Sequence, residues 1–307
     1  MRLGATAALS HPGRRRRHNE DSYVLEPPLF AVADGMGGAK AGEVASGLAA
    51  DAVQESSGDG ATGEARVAAL IEEANRRVFR RANEDREASG MGTTMTVALV
   101  EDERVAIGHV GDSRAYLYRD GRLEQLTDDH SLVAELVRSG KLTPEEAEAH
   151  PQRSVITRAL GTDSEVDVDT FAVPARPGDL FLLCSDGLTA MVDDDTIVEA
   201  IEQHRSNLAE AAKALVNAAN RGGGEDNITV VFFELHGNGE PDDTAETASS
   251  VVVEHATADE ETLDESAAQP VVEVAEPRRR SKALWALAVV AVLLMAAAVI
   301  LWLLDQV

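Results

Sequence analysis

Cysteine is almost missing from this chain of 307 residues, and Cys184 alone cannot form an internal disulfide. A reducing compartment suits it. A thiol nucleophile working on phosphate needs an arginine six positions on, and position 190 is alanine. Positive charge is scarce as well. There are 28 Lys and Arg against 54 Asp and Glu, a net charge of −26, which excludes a nucleic-acid backbone as partner of the whole chain. The eight histidines show no His-x-x-x-His pair, and with one cysteine no soft zinc cluster can be assembled. No repeat with a period of about 20–50 residues occurs. Gly35-Met36-Gly37-Gly38 is not a nucleotide loop, because the third glycine of that pattern would fall at Lys40 and no Gly-Lys-Ser/Thr follows. Residues 1–17 lack an apolar core of signal-peptide length.

Long hydrophobic runs are missing too, with one exception. Residues 283–304 carry no charge, and Trp285 and Trp302 lie near the two ends. A spanning helix needs about 20 such residues, with aromatic rings at the interfaces. Arg278-Arg-Arg-Ser-Lys282 precedes the run and residues 305–307 follow it as an extracytoplasmic tail. Positive charge stays on the cytoplasmic side. The expectation is therefore a single-pass anchor in the lipid bilayer of the cell membrane, with the N-terminal bulk in the cytoplasm. Residues 237–277, with twelve acids and no Lys or Arg, read as a disordered acidic linker. As a flexible coil it would span roughly 35 Å.

Residues 1–236 carry the folded pattern. Short strands are expected at 2–9, 22–25 and 29–33, then helices at 43–55 and 64–87. In the second helix Val67, Leu70, Ile71, Ala74 and Val78 recur at helical spacing. Residues 94–100 and 104–110 form one hairpin, and 115–118 and 123–125 a second around Asp120-Gly121. Residues 129–149 are helical with a break at Gly140; Thr143-Pro144-Glu-Glu146 is a helix start. Strands at 168–173 and 179–185, helices at 194–203 and 208–220, and a strand at 228–235 complete the region. Strands and helices come in clusters, which predicts an α+β fold of antiparallel sheets covered by helix pairs.

The acids fall at strand ends. The apolar run Leu29-Phe-Ala-Val-Ala ends on Asp34-Gly35, Ile107-Gly-His-Val-Gly on Asp112, and Leu180-Phe-Leu-Leu-Cys-Ser on Asp186. Asp226 opens a further strand, and Glu20-Asp21 precedes another. Carboxylates at the mouths of buried strands repel one another unless a cation gathers them, and oxygen ligands suit Mg²⁺ or Mn²⁺. The pattern predicts a di-metal carboxylate site.

Arg16-Arg-His-Asn-Glu20-Asp21-Ser, Ala33-Asp34-Gly35-Met-Gly-Gly, Val110-Gly-Asp112-Ser-Arg114, Cys184-Ser-Asp186-Gly187 and Asp226-Asn227 resemble, in order, the motifs of the PPM (type 2C) family of metal-dependent Ser/Thr protein phosphatases in its bacterial form. The resemblance implies a four-layer α/β/β/α sandwich over about residues 4–235 and phosphorylated proteins as substrates. Reversal of signalling by a membrane Ser/Thr protein kinase goes with it. It implies that Asp34 bridges two Mn²⁺ or Mg²⁺ ions, that Asp186 and Asp226 complete one, and that Glu20 and the Gly35 carbonyl hold the other. Asp21 orients the nucleophilic water from behind. Asp112, with Asp186, matches the place of a third, weaker ion. Arg16 matches the arginine that grips the substrate phosphate, with Arg17 as the competitor one residue on. Two departures stand out. Met36 replaces a histidine proposed as general acid in some members, and Ala190 replaces an aspartate near the third ion. Residues 129–162 resemble the flap beside the active site.

Overall fold

The computed structural model describes residues 1–37, 41–55, 60–86 and 88–237, together with the backbone of 251–253. The chain divides into two units, Met1–Asp259 and Glu260–Val307. The second unit, with the basic segment 278–282, the apolar run 283–304 and the tail, lies outside the described residues, as does most of the acidic linker. Among the described residues no helix is long and apolar enough to cross a membrane.

The first unit is a sandwich of two six-stranded sheets. Numbered along the chain, one sheet contains β1 (Arg2–His11), β7 (Arg114–Arg119), β8 (Arg122–Gln125), β10 (Leu180–Cys184), β11 (Ile228–His236) and β12 (Val251–Val253), in the order β12-β1-β11-β10-β7-β8. The other contains β2 (Asp21–Glu26), β3 (Leu29–Met36), β5 (Met95–Glu101), β6 (Arg104–Val110) and β9 (Asp169–Pro174) in that order, with β4 (Gly92–Thr93) added on β3. Helices α1 (Ala41–Glu55) and α2 (Gly63–Glu84) cover the β3 sheet. On the β10 sheet lie α5 (Asp186–Thr189), α6 (Asp194–Gln203) and α7 (Leu208–Gly222). The short helices α3 (Leu132–Arg138) and α4 (Pro144–Glu148) lie within residues 129–162, the segment that resembles a flap.

The layering follows from strand periodicity, since successive side chains point to opposite faces. In β11, Val231, Phe233 and Leu235 enter the core between the sheets, whereas Val230 and Phe232 pack under the helices. Phe233 stacks on Phe30 of the opposing sheet at 4.2 Å and on Phe181 at 4.9 Å between ring centroids. Three apolar layers result, one between the sheets and one beneath each set of helices. This is the α/β/β/α arrangement expected from the motifs.

The break expected at Gly140 is present between α3 and α4, where its φ of 71° belongs to the left-handed region. Three local differences have physical causes. The helix expected to reach residue 87 stops at Glu84, because Asp85 takes an extended backbone. The two-residue strand β4 is too short to show any periodicity. The strand Val251–Val253 lies inside the stretch expected to be linker and pairs in parallel with β1. Three consecutive β-branched residues favour extended backbone even among acids.

Candidate metal centre

The acidic strand ends meet at one end of the sandwich because β2 and β3 are neighbours in one sheet, with β6 beyond β5, and β10 and β11 are neighbours in the other. In the β2–β3 ladder Asp21 stands directly opposite Asp34. Like charges so placed are destabilising. From the second sheet, Asp186 opens α5 one residue beyond Ser185, and Asp226 precedes β11. Asp112, two residues past β6, is also buried.

Their electrostatics show how closely they gather. Burial pushes the Asp34 carboxyl well above its ordinary range, and Asp21, Asp186, Asp112 and Asp226 push it further. Burial lifts Asp21 to about 7 against the pull of hydrogen bonds from Thr229 and Ser185. Asp112 also reaches about 7, through burial, then Asp186 and Asp129. Asp186 is raised by burial and by Asp226. The acids thus resist ionising together, as a low-dielectric site with too few positive charges requires.

The Arg16 guanidinium pairs with one acid of the ring, while the charge of Arg114 pulls Asp112 down against its burial. Arg16 Nη2 donates to Asp226 Oδ2 at 2.8 Å, and Arg16 feels the charges of Glu20 and Asp34. Arg17 has no acid at ion-pair distance among the described residues. The structure therefore brings Arg16, Asp21, Asp34, Asp112, Asp186 and Asp226 into one electrostatic cluster, with Glu20 and Gly35 on its edge.

Gly35 is required by space. A Cβ there would collide with the carbonyl oxygens of Gly42 and Glu20, and its N–H donates to the Glu20 carbonyl at 3.1 Å. A Cβ on Gly42 would come within 2.8 Å of both Glu20 Oε2 and the Gly35 carbonyl oxygen, so two potential ligand oxygens face the start of α1 together.

Sequence reasoning missed the neutral groups that hold the acids. Asp21 Oδ2 accepts from Ser185 Oγ at 2.8 Å and Thr229 Oγ1 at 2.6 Å, both from the opposite sheet. Thr94 Oγ1 accepts from the Asp34 N–H at 2.9 Å, while Thr93 Oγ1 donates to the Asp34 carbonyl at 2.8 Å. The buried Asn227 amide accepts from the Glu20 N–H at 2.8 Å and donates to the Pro12 and His18 carbonyls, each at 3.0 Å. Only Asn227 had a visible signal, its place beside Asp226.

The flap segment is pinned at both ends to the same strand ends. The His130 N–H donates to the Gly111 carbonyl at 2.8 Å, beside Asp112, and Leu160 exchanges backbone bonds with Thr93 at 2.9 and 3.2 Å.

Does this donor set fit a hard divalent cation? Among the described residues, no three His, Cys, Asp or Glu side chains already converge closely enough to hold an ion. Asp226 instead turns one oxygen to Arg16 and the other to the Asn227 N–H. Asp21 Oδ1 and Asp186 Oδ1, however, are buried with no hydrogen-bond partner. Orphaned carboxylate oxygens are costly and call for a compensating charge. Oxygen donors from carboxylates and a backbone carbonyl are the ligand chemistry of Mg²⁺ and Mn²⁺. The residues fit.

The family model for protein phosphatase 2C matches residues 15–220. The chain belongs to the protein phosphatase 2C family. Serine/threonine phosphatase stp of Listeria welshimeri is 43% identical over 233 residues, which cover 72% of this chain and 92% of that protein. The crystal structure of the Mycobacterium tuberculosis serine/threonine phosphatase PstP/Ppp superposes with a TM-score of 0.73 at 43% identity, covering 77% of this chain and 100% of that one. The PstP catalytic domain in complex with 2 manganese ions superposes with a TM-score of 0.70 at 41% identity, covering 76% and 99%. The α+β sandwich is thus the fold of the protein phosphatase 2C family, and the acid ring occupies one end of it.

Proposed function

We propose that the carboxylates around Asp34 are the site at which this metal-dependent Ser/Thr protein phosphatase hydrolyses phosphoserine and phosphothreonine in proteins. One observation carries the reading: five aspartates from both sheets share one end of the sandwich, four of them with raised pKa, and Arg16 pairs with Asp226 among them. Asp34 would bridge two Mn²⁺ or Mg²⁺ ions, Asp186 and Asp226 would complete one, and Glu20 with the Gly35 carbonyl the other. Asp112, with Asp186, would take a third, more weakly because Ala190 adds no oxygen. Bound there, divalent cations supply water activated near neutral pH and neutralise charge on the phosphoryl group.

The chain's own residues do the rest. The Arg16 guanidinium can leave Asp226 and grip two phosphate oxygens in parallel, which places phosphorus beside the ring. Asp21, held through Oδ2 by Ser185 and Thr229, keeps Oδ1 free to accept a hydrogen bond from water and fix its orientation. Met36 has no proton to give, so the departing Ser or Thr oxygen takes its proton from water.

Residues 283–304 would anchor the protein in the cell membrane with the phosphatase unit cytoplasmic, opposing a membrane Ser/Thr kinase. The uncharged run and the basic segment before it support this. Protease added outside intact cells would leave the phosphatase unit uncut, and cleavage there would refute the placement. The activity is tested with p-nitrophenyl phosphate and a phosphothreonine peptide, in Mn²⁺ and in EDTA. Turnover that appears with Mn²⁺ and vanishes with EDTA is expected; no Mn²⁺-dependent turnover would sink the reading.

A further inference from the structure

The acid ring accounts for Arg16 but not for the three arginines around it. Arg14 to Arg17 form an unbroken basic run in a chain of net charge −26. All four are exposed. Among the described residues, Arg14, Arg15 and Arg17 have no acid within ion-pair distance, although acids outnumber bases 54 to 28. They are therefore not needed to neutralise the ring.

The backbone beneath them is built rigidly. The Arg14 and Arg15 N–H groups both donate to the Gly224 carbonyl, at 2.8 and 3.1 Å. Asn227 clasps the loop at Pro12 and at His18. Gly13 takes a φ of 75°, and a Cβ there would strike the Asp226 carbonyl oxygen. The aliphatic stem of Arg14 lies over Gly224. The loop is thus fastened directly to the turn that carries Asp226, so the backbone that bears these arginines runs along the rim of the site. On the flap side, Arg153 Nη2 reaches to 4.0 Å from Glu225 Oε2, beside the same turn. An acidic protein repels anionic substrates at long range, and a fixed cluster of one sign reverses that field locally.

We propose that Arg14, Arg15 and Arg17 form a second anion subsite, which takes phosphoryl or carboxylate groups flanking the phosphoresidue of a protein substrate. The inference rests on the phosphatase reading and adds a substrate preference to it. The shared chemistry is a pair of anionic oxygens offered to a guanidinium fork.

The test uses the full chain in Mn²⁺ with three phosphothreonine peptides of equal length: neutral flanks, glutamate flanks, and a second phosphothreonine. The wild type is expected to favour the anionic peptides about tenfold in kcat/KM at low salt, through KM, with the preference shrinking at about 0.3 M salt. The variant Arg14→Gln/Arg15→Gln/Arg17→Gln should bring these ratios to about one. Ratios between substrates are unaffected by how much of the variant folds. A preference for only one anionic peptide assigns the subsite to that anion. Equal kcat/KM for all three in the wild type, or a preference that survives in the variant, overturns the inference while leaving the phosphatase reading intact. No turnover of any peptide or of p-nitrophenyl phosphate by the wild type overturns both.

Discussion

Strand β10 is five residues long and has a buried or half-buried aspartate beyond each end, yet the two are treated in opposite ways. Asp179, before the strand, is 1% exposed and fully partnered. Arg119 binds it in a fork, Nε at 2.7 Å and Nη2 at 2.6 Å, and the Arg176 N–H adds a third bond at 2.7 Å. Asp186, after the strand, keeps a buried oxygen with no partner and sits among acids that raise its pKa. One end carries its own cation and the other is left short of positive charge. A buried acid matched by the chain holds structure together. A set of buried acids that the chain leaves unmatched is a place for something from outside.

The largest effect should come from the unmatched end. Asp34→Asn or Asp186→Asn is expected to lower Mn²⁺-dependent turnover by more than about 1000-fold, since even a group behind a ligand is worth 10- to 100-fold. Steady-state assay of the purified variants checks this, and wild-type turnover in either would erase the contrast. At the matched end, Asp179→Ala should destabilise the fold by about 3 kcal/mol, the low end for breaking a buried pair because Arg119 keeps some access to water. Urea unfolding measures the loss, and turnover per folded molecule should keep its Mn²⁺ dependence.

The next contrast lies in pH. Between the ordinary carboxyl value of 3.8 and about 7, folded Asp112 holds a proton that the unfolded chain has released. Its contribution to stability is therefore present below about pH 4 and lost as pH rises through about 7. Buried His109, pushed down to about 4, contributes with the opposite slope. Subtracting the wild type from Asp112→Asn removes the histidine. In EDTA the variant should gain stability relative to the wild type as pH rises, of the order of 3 kcal/mol between pH 4.5 and 7.5. Denaturant midpoints at pH 4.5 and 7.5 decide it; a difference independent of pH would contradict the raised carboxyl.

Arg16→Ala should have the smallest effect, a rise of about tenfold in KM for a phosphopeptide with kcat little changed. A change confined to kcat would count against Arg16 as the phosphate clamp.

The same two ends show how much the sequence reveals. Asp34, Asp112 and Asp186 were legible because each closes an apolar run, where an acid is conspicuous, and the helix pairs were legible from spacing. The fork on Asp179 was not, because Arg119 lies 60 residues away and pairs with it only through the β7–β10 ladder. The hydroxyls that hold Asp21 lie 164 and 208 residues from it in sequence. Serine and threonine near strand ends carry no pattern of their own, and their role appears only once the two sheets face each other. Strands β4 and β12, two and three residues long, have too few side chains to show a period.

Calorimetric titration of Mn²⁺ into the full chain at pH 7 tests the central claim most directly. The wild type and Asp179→Ala should each take up two ions in saturable steps, and Asp34→Asn should lose this uptake. No saturable binding by the wild type, or uptake by Asp34→Asn equal to that of the wild type, would contradict the assignment of the unmatched acids to metal.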